Sequence, residues 1–133
     1  MSQNLRVLVG DDDVNDRYFL AWGFKQTSPN VQLDFARTGA EVIRYLDDTS
    51  RPRPALLIID SMMPGSDGFA VLNWLRSKKQ FRLLPVVMLS GLPYDQNELR
   101  ARALGVSEYV GKPSDLDELK ALVQRWTQKY LNF

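Results

Sequence analysis

The chain has 133 residues, 44% hydrophobic and 25% charged, with a formal net charge of +1. That is the make-up of one globular domain, with no bulk charge to favour nucleic acid or an anionic membrane, no apolar run long enough to span a bilayer and no signal peptide, so a cytoplasmic protein is expected. Cysteine and histidine are both absent, which excludes disulfides, thiolate or imidazole metal sites, Ser-His-Asp hydrolysis and histidine acid–base chemistry.

Residues 5–9 read as a first strand, followed by an acidic loop, Asp11-Asp12-Asp13. The pattern over residues 14–26 is helical, with Val14, Tyr18, Ala21 and Trp22 on one face. Residues 31–35 make a short second strand. Thr38 with Glu41 three residues later is a capping-box signature, opening a helix through Leu46. After a polar loop, Ala55-Leu56-Leu57-Ile58-Ile59 is the most apolar run in the chain. It reads as a buried parallel strand that delivers Asp60 to the carboxyl edge of a sheet. Pro64-Gly65 turns the chain, and a helix carrying Phe69, Leu72 and Leu75 follows from about Asp67 to Ser77. Residues 84–89 form a fourth strand ending at Ser90-Gly91. A weaker helix covers about residues 95–104, and Gly105 suits its left-handed stop. Residues 106–110 are a fifth strand. Lys112-Pro113 comes next, then a cap at Ser114 or Asp115. The last helix carries Leu116, Leu119, Val123, Trp126 and Tyr130 at three-and-four spacing. Five strands alternating with five helices imply an α/β fold, a parallel sheet covered on both faces in a single domain.

Polar groups recur at the same end of separate apolar strands. Asp11 and Asp12 follow strand one, Asp60 ends strand three, Ser90 ends strand four and Lys112 follows strand five. Each alone reads as a turn, a cap or a surface charge; their joint placement points to one site. Clustered carboxylates repel by roughly 4 kcal/mol per pair near 4 Å at an effective dielectric of about 20, so they need a cation. Without His or Cys that cation is hard and oxygen-bound, Mg²⁺ or Mn²⁺. Lys112 and the Ser90 hydroxyl complete a seat for a transferring phosphoryl group, with Asp60 as the nucleophile.

Val-Leu-Val-Gly-Asp-Asp-Asp, Leu-Ile-Ile-Asp-Ser-Met-Met-Pro-Gly-Ser-Asp-Gly, Pro-Val-Val-Met-Leu-Ser-Gly and Tyr-Val-Gly-Lys-Pro occur in this order. In these motifs the chain resembles the response-regulator receiver domain, the CheY-like phosphoacceptor module of two-component signalling, over essentially its whole length. The resemblance implies a doubly wound sheet of strand order 2-1-3-4-5. It implies Asp60 as phosphoacceptor and Mg²⁺ on Asp11, Asp12, Asp60 and the Met62 carbonyl. It also implies Ser90 and Lys112 on the phosphoryl oxygens, and Tyr109 as an aromatic switch coupled to Ser90. Two positions depart from the family pattern. Gly10 replaces an apolar residue, which would loosen the strand end, and Ser114 replaces a frequent Phe after Lys-Pro.

The expected donor is a histidine kinase or histidine phosphotransfer protein, since the chain has no histidine of its own. The Asp-Arg after the acidic loop, the Trp126 region and the lack of an output domain resemble stand-alone receivers served by phytochrome-type kinases. Output would then go to another protein or to a second copy, through helix 4, strand 5 and helix 5; Leu92, Tyr94 and part of the Trp126 region read equally as contacts there or as the edge of the core. Two other classes remain open. A small flavin-binding protein shares such a sheet, although three aspartates would repel its phosphate. A Mg²⁺-dependent phosphohydrolase of the haloacid-dehalogenase type also uses a strand-end aspartate, but its second Asp would stand where Met62 is. A receiver acting as a constitutive binding module is a third reading.

Overall fold

A computed structural model describes residues 5–63, 68–91 and 97–131. Its sheet contains β1 (Arg6–Gly10), β2 (Gln32–Ala36), β3 (Leu56–Asp60), β4 (Val86–Ser90) and β5 (Glu108–Gly111), all parallel, in the order β2-β1-β3-β4-β5. The helices are α1 (Val14–Thr27), α2 (Gly39–Asp47), α3 (Gly68–Ser77), α4 (Asn97–Ala103) and α5 (Leu116–Tyr130), with a short 3₁₀ turn at Lys79–Phe81. The expected architecture and strand order are those observed; strand ends differ by one or two residues. The expected Pro64-Gly65 turn, the helix start near Asp67, and Leu92, Tyr94 and the helix start near residue 95 lie outside the described residues.

Every residue of β3 and β4 is buried, as a sheet covered on both faces requires. Alternation divides the core into two layers. Val7, Val9, Leu56, Ile58, Val87 and Leu89 face α1 and α5, where they meet Leu20, Phe24, Leu119, Val123 and Trp126. Leu8, Leu57, Ile59, Val86 and Met88 face the opposite layer, with Val42, Phe69, Leu72 and Leu75 of α2 and α3. Each such apolar side chain contributes about 1.5–3 kcal/mol on burial.

The caps follow the sequence. Thr38 accepts from the Glu41 N–H, while the Glu41 carboxylate reaches back to the Arg37 N–H. Asp115, rather than Ser114, caps α5 by accepting from the Glu118 N–H; the Ser114 N–H and hydroxyl donate to the Glu118 carboxylate. Gly105 has φ 85°, the left-handed stop expected after α4. At the amino edge of β4 and β5, Arg76 at the end of α3 donates to the carbonyls of Phe81, Arg82, Leu84 and Gly105.

Two expectations need correction, and one open reading is settled. The α1 face bearing Val14, Tyr18 and Trp22 points outward: these residues are 48%, 72% and 50% exposed. Leu20, Gly23 and Phe24 are the buried ones. The helix carries apolar residues on two sides, and the side with the glycine wins because it allows the closest approach. A Cβ on Gly23 would lie 2.4 Å from Leu119 Cδ2, so α1 and α5 pack nearly backbone to side chain. Of the two readings for Trp126 the core one holds: it is fully buried and stacks on Phe24 at 6.4 Å. Gly10 does not loosen its strand, because pairing runs through it to both Ala36 and Ile59. Its missing side chain makes room for Val42, whose Cγ2 would stand 2.9 Å from a Cβ there.

Candidate functional site

The carboxyl edge of the sheet gathers the acidic groups. β1 ends in Gly10, and the next residue, Asp11, hangs from β2 through its N–H on the Ala36 carbonyl. Its carboxylate turns back and accepts from the Asp13 N–H at 2.9 Å. Asp13 is committed elsewhere, capping α1 through the N–H groups of Asn15 and Asp16. Arg17, one turn into α1, donates to the Asp11 carbonyl and braces the loop. The triple aspartate therefore divides: Asp13 starts a helix, and Asp11 and Asp12 face the rim.

Asp60 is at the carboxyl end of the central strand and is 6% exposed. The chain folds over it at once, with the Met62 N–H donating to Asp60 Oδ1 at 3.1 Å. Gly68 makes that fold fit. A Cβ at Gly68 would be 2.5 Å from the Asp60 carbonyl oxygen, so only glycine lets the first turn of α3 rest on the strand end. Oxygens of Asp11, Asp12 and Asp60 lie within 4.8 Å of one another. Asp11 and Asp60 are buried and Asp12 is exposed. The group has the donor chemistry of a hard-cation site.

Lys112 enters from the loop after β5. Its N–H donates to the Ser90 carbonyl at 2.8 Å, and its ammonium reaches Asp60 Oδ2 at 3.0 Å and Asp11 Oδ2 at 4.0 Å. A third contact, to Asp16 Oδ2 at 2.6 Å, is the shortest of the three. Burial works against the charged ammonium, but hydrogen bonds to Asp16 and Asp60 outweigh it and hold Lys112 above its ordinary range. Burial raises the Asp11 carboxyl to about 6, with Asp60 and Asp16 adding to it and the Asp13 N–H and Lys112 opposing it.

Ser90 ends β4 and is 2% exposed, one residue beyond the strand position paired with Asp60. Tyr109 lies on β5 opposite Met88 and is already packed inward, 8% exposed in the α2–α3 layer. Met62 has an exposed side chain. Of the residues expected from the sequence, Asp11, Asp12, Asp60 and Lys112 lie together, and Ser90 ends the neighbouring strand. Sequence reasoning missed Asp16, Arg17 and Gly68. Asp16 carried a signal in its place in the first turn of α1, directly after the acidic loop.

The response regulator receiver domain model matches residues 7–124, and the chain belongs to that family, the receiver domains of two-component response regulators. Among curated relatives, the response regulator Rre1 of Synechocystis sp. is 32% identical over 93% of this chain. The chain spans about half of that relative's length, 52%. Among solved structures, response regulator RPA3017 in red light signaling of R. palustris is 28% identical, covering 92% of this chain and 91% of its own at a TM-score of 0.81. The phosphorylated cyanobacterial phytochrome response regulator RcpA superposes with a TM-score of 0.86 over 96% of this chain and 94% of its own. At 23% identity that likeness concerns the fold. No described helix is long and apolar enough to cross a membrane.

Proposed function

We propose that Asp60 accepts a phosphoryl group from a histidine on another protein, with Mg²⁺ held by Asp11, Asp12, Asp60 and the Met62 carbonyl. The observation that carries this reading is the convergence on Asp60 of two other carboxylates, within 4.8 Å, and one ammonium, at 3.0 Å. Carboxylates so placed repel by roughly 3 kcal/mol per pair at an effective dielectric of about 20. A divalent cation relieves that repulsion, and when bound it would supply charge neutralisation for the phosphoryl group. Mn²⁺ fits the same oxygen donors.

The chain's own residues supply the rest. The Met62 N–H and Lys112 orient the two Asp60 oxygens. As a bond forms from Asp60 to phosphorus, the phosphorus–nitrogen bond of the donor breaks and the imidazole leaves with the electron pair. Lys112 and the Ser90 hydroxyl then meet the transferred oxygens. Later attack by water on phosphorus returns Asp60 and releases phosphate.

The donor is a histidine kinase or a phosphotransfer protein, because the chain contains no histidine. The likeness to RPA3017, a response regulator in red light signaling, and to the phytochrome response regulator RcpA favours a phytochrome-type kinase. The outward apolar face of α1, with Val14, Tyr18 and Trp22 beginning directly after the acidic loop, gives such a partner a seat beside the pocket. The phosphoryl group carries about −1.5 to −2 charge in place of the single negative charge of the Asp60 carboxylate. Ser90 and Tyr109 adjust to it and shift a two-state equilibrium of the α4, β5 and α5 surface, which a downstream protein or a second copy reads.

The test is phosphate incorporation from a phosphohistidine donor with Mg²⁺, followed by intact mass. Wild type gains one acid-labile phosphate and Asp60→Asn gains none. Loading of Asp60→Asn at the wild-type rate would refute the assignment.

A further inference from the structure

The shortest polar contact of Lys112 is with a residue that no step above uses. Asp16 Oδ2 lies 2.6 Å from the Lys112 ammonium, closer than Asp60 at 3.0 Å. The two are 96 residues apart, so the pair ties α1 to the loop after β5. Asp16 stands on a firm base. Its N–H is held at the α1 cap, and α1 is locked to α5 through Gly23 against Leu119 and Phe24 against Trp126. Lys112, by contrast, is a flexible side chain on a loop, and a lysine needs more than one anchor to present its ammonium in a fixed direction.

The acids around that ammonium do not share the same duties. Asp11 and Asp60 belong to the group of three whose oxygens could hold a cation; Asp16 does not. A cation would draw the charge of Asp11 and Asp60 away from Lys112, and phosphorylation would convert the Asp60 carboxylate into an acyl phosphate, a mixed anhydride. Asp16 alone keeps its carboxylate free for Lys112 through both events.

We infer that Asp16 is a positioning residue for phosphoryl transfer, holding the Lys112 ammonium from the α1 side so that it meets the incoming phosphoryl oxygens from a fixed direction. Asp16 makes and breaks no covalent bond. This inference rests on Asp60 being the acceptor. Misplacement of a catalytic group by about 1 Å costs as much as a hundredfold in rate. With the other contacts of Lys112 intact, loss of Asp16 should cost about tenfold.

The experiment uses acetyl phosphate with Mg²⁺ as donor, which removes any partner contact on α1 from the reading. The phosphorus–oxygen bond to acetate breaks and acetate leaves. Wild type, Asp16→Asn, Asp16→Glu, Lys112→Met and the double variant Asp16→Asn with Lys112→Met are compared by intact mass over time. Asp16→Asn is expected to load about tenfold more slowly, Asp16→Glu to recover much of the rate, and Asp16→Asn to change the rate less than about twofold once Lys112 is Met. In parallel, the Lys112 ammonium is expected to give an NMR signal protected from exchange in wild type, to lose it in Asp16→Asn and to keep it in Asp60→Asn. Loading of Asp16→Asn at the wild-type rate, or the same slowing with Lys112 already gone, overturns the inference. So does an ammonium signal indifferent to Asp16. If wild type takes no phosphate while its Lys112 signal still depends on Asp16, the acceptor reading has failed, and with it the transfer role.

Discussion

Acid should release Mg²⁺ from the rim through Asp11. That residue is 1% exposed, and burial, reinforced by Asp60 and Asp16, raises its carboxyl from 3.8 to about 6. A protonated Asp11 offers no anionic oxygen, so proton and metal compete for it. With a pKa of about 6, affinity falls about tenfold between about pH 7.5 and about pH 5; with the ordinary value it would hardly change over that interval. The same shift has a consequence for the metal-free fold. Because the folded value lies above the unfolded one, the folded chain holds this proton more tightly. The stability that Asp11 contributes is full below about pH 3.8 and is lost as pH rises through about 6, an amount of about 3 kcal/mol. Mg²⁺ should therefore raise the melting temperature more at about pH 7.5 than at about pH 5. Titration calorimetry of Mg²⁺ at both pH values, with Asp11→Asn as the weak and pH-insensitive control, checks this. A wild-type affinity that moves less than about twofold refutes the reasoning, because Asp11 would then be either ionised throughout or not a ligand.

Two further outcomes concern packing around the site. Gly68→Ala places a methyl group 2.5 Å from the Asp60 carbonyl oxygen. A backbone atom cannot swing aside as a side-chain tip can, so the variant should lose about 1–3 kcal/mol, seen as a lower urea midpoint, and should load phosphate more slowly. Unchanged values for both would show that α3 does not rest on the strand end as described. Trp126→Ala empties the centre of the α1–α5 layer and should cost about 3–5 kcal/mol, a fall of about 10–20 °C in Tm by calorimetry. A fall of only a few degrees would mean that this layer is not a cooperative part of the fold.

The sheet and the ends of its strands were readable in the sequence because buried parallel strands announce themselves as unbroken apolar runs. Leu56–Asp60 and Val86–Ser90 have no competing interpretation. The polar residue that stops each run is also the one delivered to the rim. For α1 the same reasoning failed: Val14, Tyr18 and Trp22 form as good an apolar stripe as Leu20 and Phe24. The choice between them is made by Gly23, whose value lies in what approaches it from α5, a fact external to its own helix. Asp16 escaped for a related reason. Its partner is far away in sequence, and spacing along a chain cannot register a contact made by crossing from the first helix to the last loop. Gly10 looked like a weakness because the neighbour filling its empty side, Val42, comes from α2. Tertiary context overrides local pattern in each case, and in each the deciding atom belongs to another element.

The Arg76 guanidinium holds four main-chain carbonyls at the amino margin of β4 and β5 and engages no acid among the described residues. Such a rivet is indifferent to salt and to charge gained or lost elsewhere, since its partners never titrate. It pins these two strands at the margin farthest from the phosphate pocket, while their other ends are held by the pairing of β4 with β3 and by Lys112 on Asp16 and Asp60. A displacement begun at Ser90 would then fade towards Gly105, where this rivet holds the chain.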